Sequence, residues 1–104
     1  MKKTRKALTV VAVVAAGLMA AGPAHASAPG VITGDGVRIR SCPSTGGDCR
    51  VLATANRGDK VTLHCLDGTP GDPWFHVRHA RSGKSGYVNG GYVRRSGPGT
   101  IPIC

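Results

Sequence analysis

The chain has 104 residues, with 14 Lys and Arg against 5 acidic residues and a formal net charge of +9. That length excludes a multidomain architecture, and the basic balance points to anionic partners: wall polymers, lipid headgroups or acidic proteins. The acids are all Asp and sit in turn or loop segments, so a pair of carboxylates placed for glycoside hydrolysis is not expected.

Taken in order, the chain opens with Lys2, Lys3, Arg5 and Lys6 ahead of an almost unbroken apolar run from Ala7 to Ala21. Gly22-Pro23 breaks the run, and Ala24-His25-Ala26 places small residues around a cleavage point. This is the pattern of a secretory signal peptide over 1–26, cleaved after Ala26. The run is shorter than the ~20 residues of a membrane span and no charged stop-transfer follows, so no stable membrane insertion is expected after processing. Removing 26 of 104 residues leaves 78 and takes four cations with it. Such a chain supports one small domain with a marginal core. All four cysteines, Cys42, Cys49, Cys65 and Cys104, lie in this part, and an even count in a small exported chain reads as two disulfides.

Residues 27–35 read as a flexible lead-in containing Pro29 and Gly30. Gly36 to Ser41 alternates, with Val37 and Ile39 on one face and Arg38 and Arg40 on the other, as a half-buried strand does. A turn-rich loop follows between Cys42 and Cys49, then a weaker extended segment from Arg50 to Ala55. Asn56 to Asp59 is a turn. Lys60 to Leu66 alternates again, placing Val61, Leu63 and Cys65 on one face. Asp67 to Pro73 is expected to be a loop. Trp74 to Val93 then carries all four aromatics, Trp74, Phe75, Tyr87 and Tyr92, in two apolar runs around Arg81-Ser82-Gly83-Lys84. No segment has a helical period, so the fold class is all-β.

The register can be set on paper. A symmetric turn over Asp67–Pro73 puts Leu63 opposite Val77, Cys65 near Phe75, His64 opposite His76 and Thr62 opposite Arg78. A turn centred on Gly83 puts Val77 opposite Val88 and Arg78 opposite Tyr87. The apolar faces agree across three strands, and a one-residue slip would reverse them. This predicts a core of Leu63, Cys65, Phe75, Val77 and Val88. Trp74 falls on the other face and is expected to be partly exposed.

The series VRIRS-CPST, RGDKVTLHC, WFHVR and GKSGYVNGGYV resembles a bacterial SH3 (SH3b) domain over Gly36 to Val93. The resemblance implies a small, strongly bent SH3-like β-barrel of about five short strands. The domain would occupy 36–95, and residues 96–104 would form a C-terminal tail tied back by Cys104. Tyr87 stands where the family usually has Trp, and Asn89 where eukaryotic SH3 domains have a groove Pro, which argues against Pro-rich peptide binding. The resemblance implies a secreted, extracellular or wall-associated monomer that binds peptidoglycan or its peptides through an aromatic groove. Trp74 and Tyr92 match groove positions, with Tyr87 nearby. Arg38, Arg40 and Arg78 are placed to add carboxylate or phosphate contacts. The partner would be a cell-wall peptide or glycan polymer; an extracellular protein is the alternative, and nucleic acid is not expected.

Four cysteines allow three connectivities. An SH3-type hairpin would bring Cys42 to Cys49, and some secreted relatives share a strand cysteine and a terminal cysteine, which implies Cys65–Cys104. The pairing Cys49–Cys65 with Cys42–Cys104 remains open. By chain entropy the short loop contributes ~2.5 kcal/mol and the long one ~4 kcal/mol.

Other signals carry less. Arg57-Gly58-Asp59 spells an adhesion tripeptide but reads as a turn entering a strand. His64 and His76 face each other without a suitable carboxylate, so no metal or cofactor is expected. Disulfides leave no thiol nucleophile, and no nucleophile-elbow motif surrounds any Ser, so a small enzyme is the least favoured of the three readings.

Overall fold

The computed structural model describes residues 26–104. The signal-peptide reading of 1–26 falls, apart from Ala26, outside the described residues. Seven strands follow: β1 (Ala28–Ile32), β2 (Val37–Arg40), β3 (Val51–Ala55), β4 (Lys60–Thr69), β5 (Asp72–His79), β6 (Ser85–Asn89) and β7 (Val93–Arg95), with one 3-10 turn at Gly90–Tyr92. They form one sheet in the order β3-β2-β6-β5-β4-β1-β7.

This corrects the expected SH3-like barrel of about five strands. The sheet has seven strands and does not close, because its end strands β3 and β7 pair only with β2 and β1 respectively. One of the additional strands comes from the segment read as a flexible lead-in. Ala28, Gly30 and Ile32 are buried alternately, and β1 lies between β4 and β7. Pro29 conceals this strand in the sequence, since proline is a poor guest in a sheet. Its carbonyl accepts from the Ser96 N–H at 2.9 Å. The missing donor therefore points to the same side, towards Ser96 just past the last residue of β7, so only one bond at the end of that ladder is forgone.

The core lies on one face and draws on every strand: Ile32, Val37, Ile39, Ala55, Val61, Leu63, Val77, Val88 and Val93, with Phe75 and Ile101 packed against it. Its aliphatic, largely β-branched composition suits a pleated surface. Gly86 is required here. A Cβ at that position would lie 2.6 Å from the Arg40 carbonyl oxygen and 2.8 Å from Ile39 Cγ2, so only glycine lets β6 close on β2.

Two hairpins differ from the paper register in instructive ways. In β4–β5, Leu63 does face Val77 and Thr62 faces Arg78, but the register then shifts across His64. Beyond the bulge Cys65 lies opposite His76 and Leu66, half-buried, lies opposite Phe75, so Cys65 leaves the core face. The strands also run on to Thr69 and Asp72, which leaves Pro70-Gly71 as the turn rather than a loop from Asp67 to Pro73. In β5–β6, Phe75 faces Val88, His76 faces Tyr87 and Val77 faces Gly86. The turn closes between His79 and Lys84, not about Gly83. The partners are therefore displaced by two residues, and a shift of two keeps each side chain on its predicted face.

The cysteines pair as Cys42–Cys49 and Cys65–Cys104, with Cα separations of 5.1 and 4.9 Å. The tail runs along the free edge of β4 beyond the end of β1. Leu66 N–H donates to the Pro102 carbonyl at 2.8 Å, and Cys104 N–H donates to the Leu66 carbonyl at 2.9 Å.

Candidate functional site

At the N-terminal end of β5 the sheet borders a cavity of about 280 Å3, lined by Asp35, Gly36, Val37, Arg38, Arg40, Thr45, Trp74, Asn89 and Tyr92. One wall is the segment through β2 into the Cys42–Cys49 loop. The other is the start of β5, the end of β6 and the 3-10 turn. Arg38 and Arg40 share a wall because they are two apart on one strand.

Of the six residues named from sequence, Arg38, Arg40, Trp74 and Tyr92 come together here. Tyr87 and Arg78 do not. Tyr87 packs on His76 with ring centroids 4.9 Å apart, and Arg78 donates to the Gly83 carbonyl at 3.0 Å. The aromatic residues form no cluster: among the described residues the close ring pairs are His64–His76 and His76–Tyr87.

Trp74 overturns the exposure expected of it. It is only 3% exposed. Alternation does put it opposite the core face, but at this end that face is a cavity wall. Gly68 lies beside the indole, and a Cβ there would meet Trp74 Cδ1 at 3.3 Å. The indole N–H donates to Asp72 Oδ2 at 3.2 Å, and Asn89 Nδ2 donates to Asp72 Oδ1 at 3.0 Å. Asp72, at the tip of the β4–β5 hairpin, thus clamps both cavity residues. Asn89 Oδ1 also accepts from Gly91 N–H at 3.0 Å and starts the 3-10 turn that presents Tyr92, which is 53% exposed. Sequence reasoning missed Asp72 and Asn89 as a pair, since it placed Asp72 in a loop and set the β5–β6 register two residues away from the one that puts Asn89 opposite Trp74.

The two arginines of the cavity lining outnumber its one acid, Asp35. Among the described residues both ion pairs involve Asp59, so neither Arg38 nor Arg40 has an acidic partner within 4.0 Å. Arg40 Nη1 donates to the Cys49 carbonyl at 3.2 Å. Asp35, the one acid in the lining, accepts the Arg57 backbone N–H at Oδ1, 3.1 Å away.

A second polar cluster sits at the far end of β5. His79 follows Phe75 and Val77 on the inward alternation and is 1% exposed. Its Nε2 lies 2.8 Å from Asp59 Oδ2, and its Nδ1 lies 2.7 Å from Ser82 Oγ. With the imidazole neutral, Nε2–H donates to the carboxylate, the Ser82 hydroxyl donates to Nδ1, and Ser82 Oγ accepts the Lys84 N–H at 3.1 Å. The Asn56 N–H bonded to Asp59 holds that carboxyl below its ordinary 3.8, helped by His79 and Arg81 and opposed by burial. These are the residue types of a hydrolytic triad, but the imidazole is sealed in the fold and neither described cavity reaches Ser82. The arrangement ties the Asn56–Asp59 turn to the β5–β6 turn. It also places the Asp of Arg57-Gly58-Asp59 at 7% exposure, closed to an adhesion receptor.

Between the two clusters, His64 and His76 approach to 5.7 Å between ring centroids. Burial lowers the His76 pKa, and the neighbouring His64 lowers it further. Among the described residues no group of three or more His, Cys, Asp or Glu gathers as metal ligands would.

No match was found among curated proteins or among solved structures. The family described as bacterial SH3 domain matches residues 35–94, which takes in the cavity lining and β2 to β6 whole. That match covers 60 of the 104 residues, and the chain belongs to the bacterial SH3 domain family.

Proposed function

We propose that this chain is an exported, non-catalytic binding module that attaches to the bacterial cell wall, taking peptidoglycan or its peptides in the cavity beside Trp74. Domains of this family are generally non-catalytic and typically occur in secreted or wall-associated proteins. The observation that carries the reading is convergence. Arg38 and Arg40 from one strand, Trp74 from another and Tyr92 beyond it line one cavity, and among the described residues neither arginine is in an ion pair. In this reading Tyr92 supplies exposed ring surface, Trp74 and Asn89 form a rigid floor, and the arginines supply charge. The extracellular setting rests on the signal-peptide pattern and on two disulfides.

Retention on purified peptidoglycan tests it. The folded protein is expected to be retained at low salt and released by Tyr92→Ala or Arg38→Gln. Equal retention of wild type and both variants would overturn the cavity as the binding site.

A second reading, an extracellular protein as ligand, is favoured by β3. This strand, Val-Leu-Ala-Thr-Ala, is an uncharged edge with Val51 44% exposed. Such an edge can accept a strand from a partner. A Thr54→Pro change that left wall retention intact but removed a protein partner would favour it.

A further inference from the structure

We infer that the cavity recognises a free carboxylate at the end of a peptide, with Arg38 as its open receptor and Arg40 as a receptor pre-oriented by the Cys42–Cys49 loop. The inference rests on the cavity assignment above and adds the chemical class of its ligand.

Several polar side chains of the cavity lining are already occupied. The Trp74 indole N–H is bonded to Asp72, and Asn89 is bonded at both ends of its amide. What remains to meet an anion is the Arg38 guanidinium and the N–H groups of Arg40 that do not face the Cys49 carbonyl. Two guanidinium groups on one strand face, with no acid paired to either, form a site for an oxyanion.

Asp35 decides which oxyanion. Its Oδ1 holds the Arg57 N–H, which leaves Oδ2 for a ligand. A carboxylate in the same cavity disfavours a doubly charged phosphate and offers an acceptor to an amide N–H or an ammonium. A short peptide carries both complements, a terminal carboxylate and N–H donors. Tyr92, exposed at the rim, offers a flat face to the chain leading in.

The loop gives Arg40 its aim. Cys49 is buried at 5% exposure and is bonded to Cys42, so its carbonyl is a fixed acceptor for Arg40 Nη1. A guanidinium held before the ligand arrives loses less freedom on binding. The disulfide is therefore a positioning element for the site as well as a staple.

The test uses trialanine and its C-terminal carboxamide, titrated to about 10 mM and followed by amide chemical shifts, with retention on peptidoglycan measured in parallel. The acid is expected to shift cavity resonances and to bind at least about tenfold more tightly than the amide, the size of one charged hydrogen bond. Arg38→Gln is expected to erase that difference while leaving the spectrum of a folded domain. A folded Cys42→Ser/Cys49→Ser variant is expected to bind the acid more weakly and the amide unchanged. Equal binding of acid and amide overturns the inference, as does competition by inorganic phosphate at concentrations below that of the peptide. If neither tripeptide binds yet peptidoglycan still retains the protein, the carboxylate inference falls and the wall reading stands. If peptidoglycan is not retained either, both fall.

Discussion

At the C-terminal end of β5, His79 is surrounded by partners that all belong to the protein: Asp59 on one nitrogen, Ser82 on the other, and Asn56, Arg81 and Lys84 around them. At the N-terminal end, Trp74 and Asn89 are equally well anchored by Asp72, but the two arginines across the cavity have no acid paired to them. Both ends contain residue types associated with function. The difference is saturation. A buried polar cluster whose donors and acceptors all meet each other is part of the scaffold. A rigid cavity that leaves charge unanswered can take a ligand. The Ser, His and Asp at one end therefore form a brace between turns, and the arginines at the other are the receptor we propose.

The contrast between the two ends depends most on Trp74. Its indole is a buried floor, so Trp74→Ala should cost about 3–5 kcal/mol in a denaturant titration. For a domain this small that is most of its stability. A loss below about 1 kcal/mol would return Trp74 to the surface role that alternation assigns it. Trp74→Phe keeps the floor filled and separates folding from binding.

His79→Ala comes next. It removes a buried ring and leaves polar partners unpaired, an expected cost of about 2–3 kcal/mol. The folded fraction should bind wall fragments as before. Altered ligand affinity without lost stability would place this cluster among the functional residues.

pH acts on the braced end and on the face between the two clusters. Asp59 titrates below its ordinary 3.8 in the fold, so its contribution is whole above that value and is lost as pH falls through the lower folded one. His76 behaves differently. Its pKa is also lowered in the fold, by burial first and then by His64. Below its ordinary 6.5 the unfolded chain takes the proton more readily, so stability declines as pH falls from there towards the folded value, then levels. His76→Gln should flatten the first decline and leave the acid limb. A pH profile unchanged by that substitution would show that His76 does not contribute.

The smallest effect on stability is expected at Arg38. The side chain is exposed and has no ion-pair partner, so Arg38→Gln should alter stability by no more than about 0.5 kcal/mol. A large loss would mean that the cation is structural, and the contrast between the two ends would weaken.

Much of this molecule can be read from alternation. Val37 and Ile39, then Val61 and Leu63, then Phe75 and Val77, lie on the faces that period-two patterning assigns them. Even the error in β5–β6 pairing left those faces correct, because a two-residue displacement does not change parity. His79 was legible by the same rule, since it continues Phe75 and Val77 inward, and a buried imidazole needs partners for both nitrogens. The bulge at His64 was not legible. It moves Cys65 off the core face and pairs Leu66 with Phe75, and nothing in Leu-His-Cys-Leu marks where a strand takes an extra residue. Nor was β1, because the Pro29-Gly30 pair looks like a breaker until the tail is seen to end the ladder there.

By itself, then, the sequence determined an all-β domain stapled by four cysteines, with its apolar faces, its surplus of cations and its family motifs in place. The faces and the charge follow from local period and composition, and the motifs from the resemblance they carry. Only the tertiary structure decided that the sheet has seven strands and stays open, that Trp74 is buried, and that Arg38, Arg40 and Tyr92 meet at one cavity while Tyr87 and Arg78 lie apart from it. These depend on where hairpins turn, where a register slips and which distant segments cover a face. They are relations between strands, and no single strand's pattern contains them.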